Sequence, residues 1–116
     1  MNIEALRNFC KTLPAVKEDI KWGHDLCFLI AGKMFCVACL ELPFTVSFQV
    51  KPDEYDILIE TEEIIPAPYM ARNKWVQVQD ANRFNKKEWE HYIRQSYELK
   101  KAKLTKKLLK DAGLTQ

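Results

Sequence analysis

Phe44-Thr45-Val46-Ser47-Phe48-Gln49-Val50-Lys51 alternates without a break, apolar at Phe44, Val46, Phe48 and Val50 and polar at Thr45, Ser47, Gln49 and Lys51. A period of two identifies a strand, because successive side chains leave a pleated backbone on opposite faces. One face of its sheet must pack on helices, while the other, carrying Thr45, Ser47 and Gln49, is left for water or a partner. Directly downstream, Pro52-Asp53-Glu54 opens a helix. Proline suits the first helical position and the acids suit the positive end of the dipole. Tyr55, Leu58 and Ile59 form its inward stripe, and the helix must end before Pro66.

Upstream, Leu26–Ile30 and Met34–Leu40 read as two more strands, joined by the short hairpin loop Ala31-Gly32-Lys33. Residues 15–25 read as a polar connection in which Trp22 packs and Gly23 permits a bend. The chain begins with a helix: Asn2 can cap it, Ile3, Leu6, Phe9, Cys10 and Leu13 share one face, and Pro14 ends it.

The stretch Ile64–Val78 joins the two halves of the chain. Pro66 and Pro68 forbid a helix and force a turn. Tyr69 and Trp75 are expected to anchor this turn in the core, with Arg72 and Lys74 as a basic rim. Lys74–Gln79 reads as a strand of mixed parity, with room for a bulge. Asn85 and Glu88 have capping-box spacing. Trp89, Ile93, Tyr97, Leu104 and Leu108 then continue an apolar stripe along one long helix, or two helices broken near Lys103. The expected order is α-β-β-β-α-β-α, an α+β fold with an antiparallel sheet and helices packed on one face.

The 116 residues fit a single domain, 1–116, with 47% apolar and 29% charged residues, which is ordinary globular composition. No apolar run reaches the ~18 residues of a membrane span, and residues 1–7 lack the pattern of a secretory signal. Cys10, Cys27, Cys36 and Cys39 are therefore expected as free thiols in a reducing cytoplasm. No helix shows a second apolar stripe, so a monomer is expected. Net charge is +2 but unevenly spread. Residues 1–82 carry 8 Lys/Arg against 12 Asp/Glu, whereas residues 83–110 carry 10 against 3. The segment 85–112 is thus a basic helical tail on a slightly acidic body, which as a plain solvated face would keep the protein soluble.

The residues offer little catalytic chemistry. Cys36 and Cys39 form a CxxC, but within a strand their side chains point to opposite faces and cannot converge on one metal. No helix N-terminus follows to activate either thiol. The two histidines, His24 in a connection and His91 on the solvent side of a helix, do not suit a catalytic triad. Three glycines, at 23, 32 and 113, cannot build a phosphate-cradling loop. No enzyme activity, metal or cofactor is expected.

Several short pieces recur in a known order. They are Leu13-Pro14 with Trp22-Gly23, Gly32-Lys33-Met34-Phe35, Lys51-Pro52-Asp53, Ile65-Pro66 with Tyr69-Met70, Lys74-Trp75, and Ser96-Tyr97-Glu98-Leu99 before Lys106-Lys107. Over nearly its whole length the chain resembles the MmcQ/YjbR family. Ala15 departs from the glycine often found after the family's proline, and Thr105 stands where a proline is common. The resemblance implies a CyaY-like domain, similar also to secretion chaperones, and a DNA-binding role through projecting strand-loop wings.

Charge gives the bottom-up support for that role. Lys33, Arg72, Lys74, Arg83, Lys100, Lys101, Lys106 and Lys107 are the candidate nucleic-acid contacts, expected to touch phosphates rather than read bases. The alternative is a protein-interaction adaptor using Thr45, Ser47 and Gln49 on the half-polar sheet face. A frataxin-like iron handler would need a row of carboxylates on the first helix, where Glu4 stands alone beside Arg7 and Lys11.

Overall fold

A computed structural model describes residues 1–114. Six strands form one antiparallel sheet: β1 (Val16–Lys21), β2 (Asp25–Ile30), β3 (Lys33–Cys39), β4 (Val46–Gln49), β5 (Ile64–Pro66) and β6 (Trp75–Val78). Their order across the sheet is β1-β2-β3-β4-β6-β5. Helices α1 (Ile3–Cys10), α2 (Pro52–Leu58) and α3 (Lys86–Lys101) pack on one face, and a short α4 (Lys106–Asp111) follows. The α+β class and the helices on one face are as the sequence implies. None of the helices among the described residues is long and apolar enough to cross a membrane.

Two strands depart from the expected order. Residues 16–21, read as a connection, form edge strand β1. Val16 to Asp19 alternate half-buried and exposed, but the half-buried positions include charged Glu18 and Lys21 while Ile20 is exposed, so no apolar alternation marks this edge strand in the sequence. Ile64–Pro66, read as turn, is a three-residue strand on the opposite edge, where proline is tolerated because no further strand needs its missing N–H.

Parity divides the side chains. Leu26, Phe28, Ile30, Cys36, Ala38, Val46, Phe48, Val76 and Val78 meet Leu6 and Cys10 of α1, Leu58 of α2, and Trp89, Ile93 and Tyr97 of α3 in the main core. Cys27, Val37, Ala67 and Trp75 form a smaller cluster on the other face, and Cys36 and Cys39 lie on opposite faces as expected. All four cysteines are free thiols. Between β2 and β3 the register shifts: Leu29 faces Met34, Phe28 faces Cys36, and Phe35 is left over as a bulge. Phe35 and Cys36, though consecutive, thus both enter the main core.

Helix boundaries follow local chemistry. The Asn2 side chain accepts from the Ala5 N–H at 2.8 Å. α1 ends at Cys10, a few residues before Pro14, and the intervening turn brings Leu13 into the core. α2 begins with proline in its first turn as expected. Asn85 and Glu88 close a reciprocal capping box at α3. α3 stops at Lys101, and Thr105 caps α4 by accepting from the Leu108 N–H at 3.1 Å, so the basic tail is two helices. The Tyr97 hydroxyl donates to the Pro14 carbonyl at 2.6 Å and ties α3 to the link between α1 and β1.

Candidate nucleic-acid interface

Three elements bring lysines to one end of the molecule. The β2–β3 hairpin turns through Ala31 and Gly32, both in the left-handed region (φ 49° and 78°), which matches the twist of the strands and sets Lys33 at the tip. The last turn of α3 carries Lys100 and Lys101, and Lys103 lies in the link to α4. Burial pushes the Lys100 pKa down, and the neighbouring charges of Lys103 and Lys33 push it further. α4 lies against the same hairpin: its Leu108, Asp111 and Ala112 share a hollow with Ala31 and Gly32. Lys106 and Lys107 are exposed there.

These charges are not neutralised by side-chain ion pairing. Among the described residues the ion pairs are Arg7–Glu18 at 3.0 Å, His24–Asp25 at 3.6 Å and His91–Glu54 at 3.9 Å, and none contains a lysine. Lys100 instead sits over the Trp75 ring, 5.9 Å from its centroid, and Lys74 over the Tyr55 ring at 4.9 Å. Both side chains lie over ring faces, whose negative quadrupole attracts a cation.

The sequence candidates therefore sort into groups. Lys33 and Lys100 come together, with Lys101, Lys106 and Lys107 on the adjoining helices. Arg72 is exposed and Lys74 half-buried in the turn before β6. Arg83 stands apart: it precedes α3, whose 16 residues put about 24 Å between its ends. Lys103 is not among the sequence candidates, although its spacing of three from Lys100 on a helical pattern is a signal that could find it.

The second sheet face also differs from the expected half-polar surface left open to water or a partner. Ser47 and Gln49 are buried, at 6% and 7% exposure, because the chain from Ala67 to Lys74 folds back over this face. The Gln49 amide donates to the Asn73 carbonyl of that segment at 2.9 Å. What stays open is a groove of about 700 Å³. Met34, Val37, Cys39, Thr45, Ser47 and Gln77 line it from the sheet, Trp22, His24 and Asp25 from the β1–β2 side, and Pro68, Tyr69 and Met70 from the β5–β6 connection.

Two aromatic expectations are corrected here. Trp22 does not pack: it is 65% exposed at the β1–β2 turn. Tyr69 is no core anchor but fully exposed, on left-handed backbone (φ 65°) in the β5–β6 connection, whereas Trp75 is buried at 3% as expected. No group of three or more His, Cys, Asp or Glu among the described residues could hold a metal ion.

The YjbR family model matches residues 11–99, and the chain belongs to this family. The fold is similar to that of the Deinococcus radiodurans protein DR2400, which has the domain DUF419 (TM-score 0.84, 24% identity, 97% of this chain and 88% of that one). It is similar also to a Pseudomonas syringae protein (TM-score 0.72, 20% identity, 85% of this chain and 98% of that one). None of the curated proteins matches the chain.

Proposed function

We propose that this protein is a non-enzymatic, cytoplasmic nucleic-acid-binding protein that holds the phosphate backbone at its lysine-rich end. One observation carries the reading: Lys100, held over the Trp75 ring beside Met34, lies close enough to Lys33 and Lys103 to feel their charge, and among the described residues none of the three has a carboxylate partner. Like charges held close cost folding free energy, and a polyanion is the ligand that repays it. Lys101, Lys106 and Lys107 widen the positive field, and Arg72 and Lys74 extend it toward β6. Contacts of this kind give affinity that falls with salt and does not depend on sequence.

The test is fluorescence anisotropy of a labelled duplex from low to physiological salt, for the wild type and a Lys33→Gln/Lys100→Gln/Lys103→Gln variant. The variant should bind every duplex more weakly, and its salt slope should shrink by about 0.9 for each phosphate it no longer neutralises. A wild type that binds no nucleic acid even at low salt would end this reading.

A further inference from the structure

The groove on the open sheet face adjoins the lysine cluster. Met34 follows Lys33 directly, and Met34 and Met70, which line the groove, pack around Trp75, whose ring carries Lys100. Trp22, on the β1–β2 turn, and Tyr69, on the β5–β6 connection, also line the groove. The remaining tryptophans, Trp75 and Trp89, are buried at 3% and 1%, whereas Trp22 is 65% exposed and Tyr69 fully so. Both exposed rings sit on left-handed backbone, with φ of 54° and 65°.

The lining suits a planar, hydrogen-bonding ligand. Met34, Val37, Met70 and Pro68 supply apolar contact, and Thr45, Ser47 and Gln77 supply donors and acceptors between them. Asp25, the one carboxylate in the lining, faces His24 at 3.6 Å. A duplex keeps its base faces stacked on one another and cannot offer them to side chains. An unpaired strand can, and exposed aromatic side chains bordering a groove are good stacking partners for its bases.

We propose that the groove takes the unstacked bases of single-stranded nucleic acid, with Trp22 and Tyr69 as stacking walls and the backbone phosphates on the Lys33, Lys100 and Lys103 end. This rests on the phosphate-binding reading above. It adds a preference for single strands, which phosphate contacts alone do not give.

The experiment compares a labelled single-stranded oligothymidylate with a duplex of equal length, at one salt concentration, by anisotropy and by tryptophan fluorescence. The wild type should bind the single strand about tenfold more tightly, with quenching of the exposed tryptophan. The Trp22→Asn and Tyr69→Asn variants, which suit the left-handed backbone and keep the fold, should each lose about tenfold for the single strand and nothing for the duplex. Equal affinity for both forms, or a double variant that keeps its single-strand affinity, would overturn the groove proposal and leave the phosphate reading standing. A wild type that binds neither form would overturn both.

Discussion

The Ser96 hydroxyl on α3 donates to the Phe35 carbonyl at 2.5 Å, at the one residue of β3 that has no partner across the strand pair with β2. The same oxygen accepts from the Gln49 N–H at 2.9 Å, where β4 ends. One buried hydroxyl thus satisfies two backbone groups that the sheet leaves unpaired. Ser96→Ala should destabilise the protein by about 1–3 kcal/mol for each stranded group. Urea unfolding measures this, and an unchanged midpoint would remove Ser96 from its bridging role.

The two aromatic residues of the Ile64–Val78 stretch should respond oppositely to truncation. Trp75→Ala empties a site in the second cluster and should cost ~3–5 kcal/mol. Tyr69→Ala removes a fully exposed ring and should stay within about ±0.5 kcal/mol. A thermal melt of each variant separates the two outcomes, and comparable destabilisation would contradict the exposure of Tyr69.

Trp22→Asn should stabilise the fold by about 1 kcal/mol, since asparagine tolerates the left-handed region that Trp22 occupies. Chemical denaturation reads the gain. A decrease instead would mean that the Trp22 ring contributes packing in the folded state.

The thiols provide a test against pH. Burial pushes the Cys10 thiol up to about 12 and raises that of Cys36 as well. A folded-state pKa above the unfolded value of ~8.5 gives stability that is fully present below pH ~8.5 and is lost as pH climbs toward the folded value. Unfolding free energy should therefore fall in alkali, and Cys10→Ala should flatten that fall. At pH ~8, a thiol reagent should label half-exposed Cys39 in the native protein and all four cysteines after denaturation. Rapid native labelling of Cys36 would contradict its place in the core.

Repulsion at the basic end predicts an opposition between stability and binding. Lys33→Gln/Lys103→Gln relieves the charges that press on Lys100 and leaves its position over Trp75 intact. The melting temperature should rise at low salt, and the gain should disappear at high salt, where such fields are screened. Nucleic-acid affinity should drop in the same variant. A salt-independent rise would show that something other than charge is responsible.

Much of the fold is legible in the sequence because pattern and packing agree. Phe44–Lys51 alternates because β4 is a central strand with a core on its helical face, and Asn85 with Glu88 caps α3 through contacts local in sequence. The misreadings share a different cause. β1 is a half-wet edge strand rich in charge and β5 is only three residues long, so propensity and periodicity are weak there. Large aromatic residues usually go inside, which is the expectation for Trp22 and Tyr69, but both lie in turns between strands and are exposed. The polar alternation at Ser47 and Gln49 is real, but it cannot show that residues some 20 to 30 positions later fold over them. The lysine cluster depends on a hairpin tip and a helix end that lie far apart in the chain, so charge counting finds most of its members but not their grouping.

The two edges of the sheet also decide how the protein meets other copies of itself. A bare strand edge is a template for pairing with a neighbour, and long apolar edges drive aggregation. β1 carries Lys17, Glu18, Asp19 and Lys21 among its six residues, and β5 is three residues long and ends in Pro66. Each edge thus carries its own stop signal, one by desolvation of charge and the other by brevity and a missing donor. The open face can then keep exposed rings without the sheet growing sideways into a fibril. Exchanging Lys17 and Asp19 for valine would remove that protection and leave a seed for polymer growth.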